Sequence, residues 1–164
     1  MATTLENLMA AFAGESQAFQ KYSAYAVQAD KEGYKQVAKL FRAAAAAEKV
    51  HAGNHLKAAE KVLTTKENLM DAINGETFEF ETMYPPMIET AKAEGNKAAE
   101  RSFSMANAVE QTHARLYKDA MADLGQNPEA DIYVCPVCGE TIVGKLPEKC
   151  PVCGAAAKVF SKID

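Results

Sequence analysis

Positive charge is in short supply: 18 lysines and arginines against 22 aspartates and glutamates leave a net charge of -4. A chain with no basic surplus cannot neutralise a phosphate backbone, which argues against nucleic acid as a partner. Long apolar runs are missing as well. No stretch approaches the ~18 apolar residues of a membrane span. The N-terminus MATTLENLMAAF carries Glu6 where a secretory leader would carry basic residues, so no leader and no membrane association are predicted. The expectation is a soluble, cytoplasmic protein. The first 134 residues contain no cysteine; all four lie between Cys135 and Cys153, in two C-x-x-C pairs. In a reducing compartment that spacing points to metal ligation rather than disulfides. Histidine is scarce too, with three in 164 residues. What remains, 48% hydrophobic and 24% charged, is enough for one ordinary core and a small appendage, and excludes disorder.

Residues up to about 124 are rich in Ala, Glu, Lys, Met and Leu, with apolar positions recurring at three and four, as amphipathic helices require. Four helices fit. Thr3 or Thr4 with Glu6 caps the first, which carries Leu5, Leu8, Met9, Phe12, Phe19, Tyr22 and Val27 on one face and ends near Gly33. The second runs from about Tyr34 to Val62. Thr64 and Glu67 form a capping box for the third, and Asn96 caps the fourth, which ends before Gly125. Pro85 and Pro86 predict a kink or break just after Tyr84. From Asp131 the chain turns rich in Gly, Pro and β-branched residues, predicting small strands around a metal. The methionines Met70, Met83, Met87, Met105 and Met121 read as core packing.

Two of the three histidines have a glutamate three residues earlier, in Glu48-Lys-Val-His51 and Glu110-Gln-Thr-His113. Positions i and i+3 are neighbours on a helix, so each pair can present a carboxylate and an imidazole to one point. His55, one turn after His51, reads as a surface residue. Glu15 precedes Glu48 by 33 residues and Glu76 precedes Glu110 by 34, so two helical hairpins each bring one glutamate and one Glu-x-x-His motif. That is the ligand set of ferritin-like di-iron bundles. Inward-facing carboxylates repel one another unless cations lie between them, and carboxylate with imidazole suits iron or manganese. In the tail, Cys135-Pro-Val-Cys138-Gly and Cys150-Pro-Val-Cys153-Gly form two knuckles. Four thiolates bind one metal tetrahedrally, and the ligands alone admit zinc or iron.

The order Glu15, Glu48-x-x-His51, Gly75-Glu76-Thr-Phe-Glu79, Met83-Tyr84-Pro85, Glu110-x-x-His113 and two Cys-Pro-x-Cys-Gly knuckles resembles the rubrerythrin family over nearly the whole chain. The resemblance implies a mainly α fold, a ferritin-like four-helix bundle over residues 1–130, followed by a small rubredoxin-like domain over 131–164. It implies that Glu48 and Glu110 bridge two irons, that Glu15 binds one, and that Glu76 and His113 bind the other. His51 would serve the iron near Glu15 in the reduced state and Glu79 in the oxidised state, with Tyr22 and Tyr84 hydrogen-bonding near the metals. Cys135, Cys138, Cys150 and Cys153 would hold one further iron, with zinc as a possible substitute, under cover of Tyr133 and Phe160. Redox context favours iron, because zinc beside a di-iron site could deliver no electrons.

The implied activity is reduction of hydrogen peroxide to water in oxidative-stress defence. It would be NADH-linked through an electron donor such as rubredoxin or an NAD(P)H-dependent reductase. Two other readings are iron storage, which gains nothing from a redox tail, and a zinc-ribbon adaptor, which leaves the Glu-x-x-His pairs without a purpose. One topological expectation follows from the link between the second and third helices. In a ferritin-like bundle these run parallel, so the link must travel roughly 30 Å or more, whereas the about four residues available span at most ~14 Å. A homodimer with swapped helical hairpins is therefore predicted; the unswapped alternative needs part of Ala52 to Lys61 uncoiled.

Overall fold

The computed structural model describes residues 2–164. Helix α1 spans Thr4–Lys31 and starts as expected: the Thr3 hydroxyl accepts from the Glu6 amide while the Glu6 carboxylate reaches back to the Thr3 amide at 2.7 Å. It stops at Gly33, whose φ of +87° suits a residue without a side chain, and the Tyr34 amide closes the turn onto the Ala29 carbonyl. Helix α2, Lys35–Ala58, packs back on α1. Ala38, Ala45, Ala52 and Ala59 recur every seventh residue and are buried, as are Ala26 and Ala29 of α1. A seam of small side chains lets two helices approach closely. Near one end the rings of Tyr22 and Tyr25 meet Phe41, at centroid distances of 6.3 and 5.6 Å.

Helix α2 ends four residues sooner than its periodicity predicted. Glu60 takes a left-handed conformation (φ 54°) and the Lys61 amide bonds the Leu56 carbonyl, a terminating turn that Glu60, unlike Gly, does not advertise.

A second capping box, Thr64 with Glu67, opens helix α3, Thr65–Phe78. Then comes a π-helical turn, Glu79–Met83, and helix α4, Tyr84–Ala93. The predicted break after Tyr84 is absent. Pro85 and Pro86 occupy the first turn of α4, where no amide is needed. The disturbance lies before them: the prolines cannot donate to the carbonyls of Glu81 and Thr82 and would collide with them, and a widened turn relieves both problems. Helices α3 and α4 with the turn between them thus form one interrupted helix, the third of the four expected. Asn96 caps helix α5, Lys97–Ala122, through its side-chain oxygen on the Ala99 amide at 3.0 Å. Helix α5 packs against both α3 and α4, around the buried Ala91, Val109 and Ala114. The methionine stripe is not uniformly core: Met70 is 49% and Met87 39% exposed.

The tail forms three antiparallel strands, β1 Ile132–Val134, β2 Thr141–Val143 and β3 Ser161–Ile163, with β1 in the middle. Strand β2 rests on α5. The chain divides into two compact units, α1 with α2 up to Leu63, and everything from Thr64 onward. Among the described residues no helix is long and apolar enough to cross a membrane.

Candidate metal centres

Helices α1 and α2 bring Glu15, Glu48 and His51 together, with their ligand atoms within 4.8 Å of one another. The i, i+3 spacing does what helical geometry requires: His51 Nδ1 lies 2.8 Å from Glu48 Oε2. Tyr22 lies in the same unit, and its recorded contacts are with the rings of Tyr25 and Phe41. His55, read as a surface residue, is half-buried.

Helices α3 and α5 form a matching triad. Glu76, Glu110 and His113 also converge within 4.8 Å. His113 Nδ1 stands 2.8 Å from Glu110 Oε2 and 3.9 Å from Glu76 Oε1. Glu79, at the start of the π turn, and Tyr84, just past its end, belong to the same electrostatic neighbourhood. Burial, then a hydrogen bond shared with Glu110 and the charge of Glu110, push the Glu76 carboxyl up to about 7. Burial and Glu110 raise Glu79 as well, and Tyr84 is raised by burial and then by Glu79, Glu110 and Glu76. Three carboxyls and one imidazole in a partly buried space carry surplus negative charge, and bound cations would compensate it.

A pH effect follows for metal-free protein. The folded Glu76 carboxyl titrates near 7, above its ordinary 4.5. Between those values the folded state binds more protons than the unfolded state, so stability falls as pH rises through that window and stays low above it. Thermal unfolding of metal-free protein is expected at lower temperature at pH 8 than at pH 5.5. Glu76→Gln should flatten that dependence; an unchanged slope would show that the group is not strained.

The cysteines form a third cluster. Cys135 Sγ and Cys153 Sγ are 3.6 Å apart, and Cys138 Sγ and Cys150 Sγ 3.5 Å. Disulfides would bring sulfurs to about 2 Å, whereas a tetrahedron with metal–sulfur distances of ~2.3 Å has edges near 3.8 Å. The spacing therefore fits one four-coordinate metal. Both knuckles turn alike: Gly139 and Gly154 adopt positive φ (88° and 77°) and donate to the Cys135 and Cys150 carbonyls at 2.9 Å. Burial opposes ionisation of Cys135, but the Val137 and Cys138 amides directed at its sulfur, together with the Cys153 and Cys138 thiols, outweigh it and lower its pKa. Burial pushes the Cys138 thiol well up; a metal would draw off that proton.

Two residues directly after the first knuckle, Glu140 and Thr141, are not marked by the sequence pattern. Glu140 is only 4% exposed, with Oε1 3.3 Å from the Thr112 hydroxyl and Oε2 without a partner. Burial raises its pKa. Thr141 meets His113 Nε2 at 2.9 Å. Nothing in the local sequence marks either, because both acquire their partners only when β2 packs on α5.

Residues 6–121 match the family model for rubrerythrin and residues 133–161 that for the rubrerythrin rubredoxin-like domain. Rubrerythrin-2 of Clostridium acetobutylicum is 35% identical, the match covering 97% of this chain and 96% of the relative. Nigerythrin of Nitratidesulfovibrio vulgaris is 38% identical, over 97% of this chain and 86% of its own. Among solved structures, fully reduced, all-ferrous nigerythrin matches with a TM-score of 0.61 at 36% identity, covering 99% of this chain and 88% of that one. The chain therefore belongs to the rubrerythrin family, with a ferritin-like, mainly α fold, a di-iron site in its rubrerythrin domain and a four-cysteine rubredoxin-like site after it.

Proposed function

We propose that this protein is a peroxidase that reduces hydrogen peroxide to water, with electrons passing through an iron held by Cys135, Cys138, Cys150 and Cys153. The observation that carries the reading is the packing of the cysteine-bearing sheet on α5, the helix that bears Glu110 and His113. An electron-carrying module seated against a carboxylate–imidazole cluster serves a redox reaction and has no use in storage. The working division is a di-iron domain over residues 1–130 and an iron–cysteine domain over 131–164.

Glu15, Glu48, His51, Glu76, Glu79, Glu110 and His113 would hold the two helix-bound irons. Glu48 and Glu110 would be shared between them, and His51 and Glu79 would serve the iron near Glu15 in its reduced and oxidised states. Irons held there in the ferrous state would supply the two electrons that, with two protons, convert one peroxide into two waters. The Tyr84 phenol, raised by burial and by the nearby carboxylates, keeps its proton on Oη at neutral pH and could donate a hydrogen bond to peroxide in the site. Tyr22 would play the corresponding part on α1. Rubredoxin or an NAD(P)H-dependent reductase in the cytoplasm would return electrons to the cysteine site.

Anaerobically reduced protein mixed with peroxide should regain the Fe(SCys)₄ charge-transfer colour, with one peroxide consumed per two electrons. Colourless protein, or reduced protein inert to peroxide, would reject the reading. Glu79→Ala is expected to retain its iron yet lose peroxide turnover by roughly 100-fold or more, as loss of a group needed at the reacting centre does. Steady-state peroxide consumption checks this, and unchanged turnover would make Glu79 a bystander.

A further inference from the structure

Thr141, the first residue of β2, stands three positions after Cys138 and meets α5. Its hydroxyl lies 2.9 Å from Nε2 of His113 and 3.3 Å from the carbonyl oxygen of Gly139. A hydroxyl has one proton to give and lone pairs to receive another. The Gly139 carbonyl can only accept, so the Thr141 proton goes there and the hydroxyl oxygen accepts from His113 Nε2–H. That leaves Nδ1 to a metal: without one, its contact with Glu110 Oε2 needs a proton between the two atoms, which an ion would replace. It is Nδ1 that faces the carboxylates of Glu110 and Glu76, at 2.8 and 3.9 Å.

We infer that Thr141 is a positioning residue for the helix-bound metal: its hydroxyl fixes His113 in the Nε2–H tautomer and holds the ring so that Nδ1 meets the ion between Glu76 and Glu110. The inference rests on the proposed reading of His113 as a ligand. A threonine of the cysteine-bearing module thereby completes the surroundings of the other centre. Two hydrogen bonds within one chain join the His113 ring to the knuckle beside Cys138. A cavity of about 580 Å³, lined in part by Leu116, Tyr117, Asn127 and Ile132, reaches the His113–Thr141 pair. Water entering there would compete for Nε2–H, so the informative substitution is one that fills the place of the hydroxyl.

The test uses the full iron-loaded chain and its Thr141→Val, Thr141→Ser and His113→Ala variants, compared by chelator competition and Mössbauer spectroscopy. Thr141→Val is expected to weaken retention of helix-bound iron about 10-fold or more, the usual effect of losing a partner behind a metal-bound histidine. It should also alter the doublet of one helix-bound iron while leaving the cysteine-bound iron unchanged. Thr141→Ser should restore both. Should valine distort β2, Thr141→Ala serves the same comparison. Wild-type retention and doublets without the hydroxyl, or failure of serine to restore them, overturn the inference. If His113→Ala keeps both irons at full affinity, the ligand reading falls and the inference with it. If His113→Ala loses iron and Thr141→Val does not, only the role of Thr141 is lost.

Discussion

Replacing Glu110 with alanine is expected to remove the helix-bound irons and leave the cysteine-bound iron in place. Glu110 is the carboxylate on which the second cluster converges: its Oε2 lies 2.8 Å from His113 Nδ1, and it shares a hydrogen bond with Glu76. In the proposed centre it also bridges both metals, so its loss weakens the hold on each. Iron content should fall from roughly three to roughly one per chain. Glu48→Ala should behave alike, because Glu48 holds the matching place beside His51. Metal analysis with the visible spectrum of the Fe(SCys)₄ site separates the two populations, and three irons per chain in either variant would reject the assignment. The Cys₄ cluster lies outside these helices, with its own knuckle hydrogen bonds, so the remaining iron doubles as a check that the chain has folded.

What could be read in advance was whatever the chain determines locally. The caps at Thr3, Thr64 and Asn96 are satisfied by residues three positions on, and the contacts of His51 with Glu48 and of His113 with Glu110 come from the pitch of a helix. The cysteine knuckles are similarly local. The features that escaped depend on partners distant in the chain or on backbone that a residue type does not announce. The left-handed turn at Glu60 ends α2 where a glycine would have given warning. The strain of Pro85 and Pro86 is taken up a turn earlier, at Glu79–Met83, because a helix can widen before a proline more easily than break after it. Glu140 and Thr141 find Thr112 and His113 across 28 residues of chain, a pairing no periodicity encodes.

Two inactive variants are expected to restore activity to one another. Helix α2 ends at Ala58 and α3 begins at Thr65, so the link holds six residues rather than about four. Fully extended it spans about 20 Å, still well short of the ~36 Å length of a 24-residue helix. The unswapped alternative needs part of Ala52 to Lys61 uncoiled, and because α2 stays helical through Ala58 only Ala59 to Lys61 of that stretch lie outside the helix. Exposed apolar side chains on α2, with Leu40 at 68% and Val50 at 59%, also favour a second copy as cover. In the proposed swapped dimer each centre takes Glu15, Glu48 and His51 from one chain and Glu76, Glu79, Glu110 and His113 from its partner. Co-refolding Glu48→Ala chains with Glu110→Ala chains then gives mixed dimers with one doubly damaged centre and one intact centre. The intact centre draws its second triad from the Glu48→Ala chain. It keeps that chain's cysteine site as well, because Thr112 and His113 of α5 hold Glu140 and Thr141 of the same chain. With half the dimers mixed and half their centres intact, peroxide turnover should return to about a quarter of wild type. In an unswapped arrangement every centre carries one lesion, and turnover that stays absent after mixing would reject the swap.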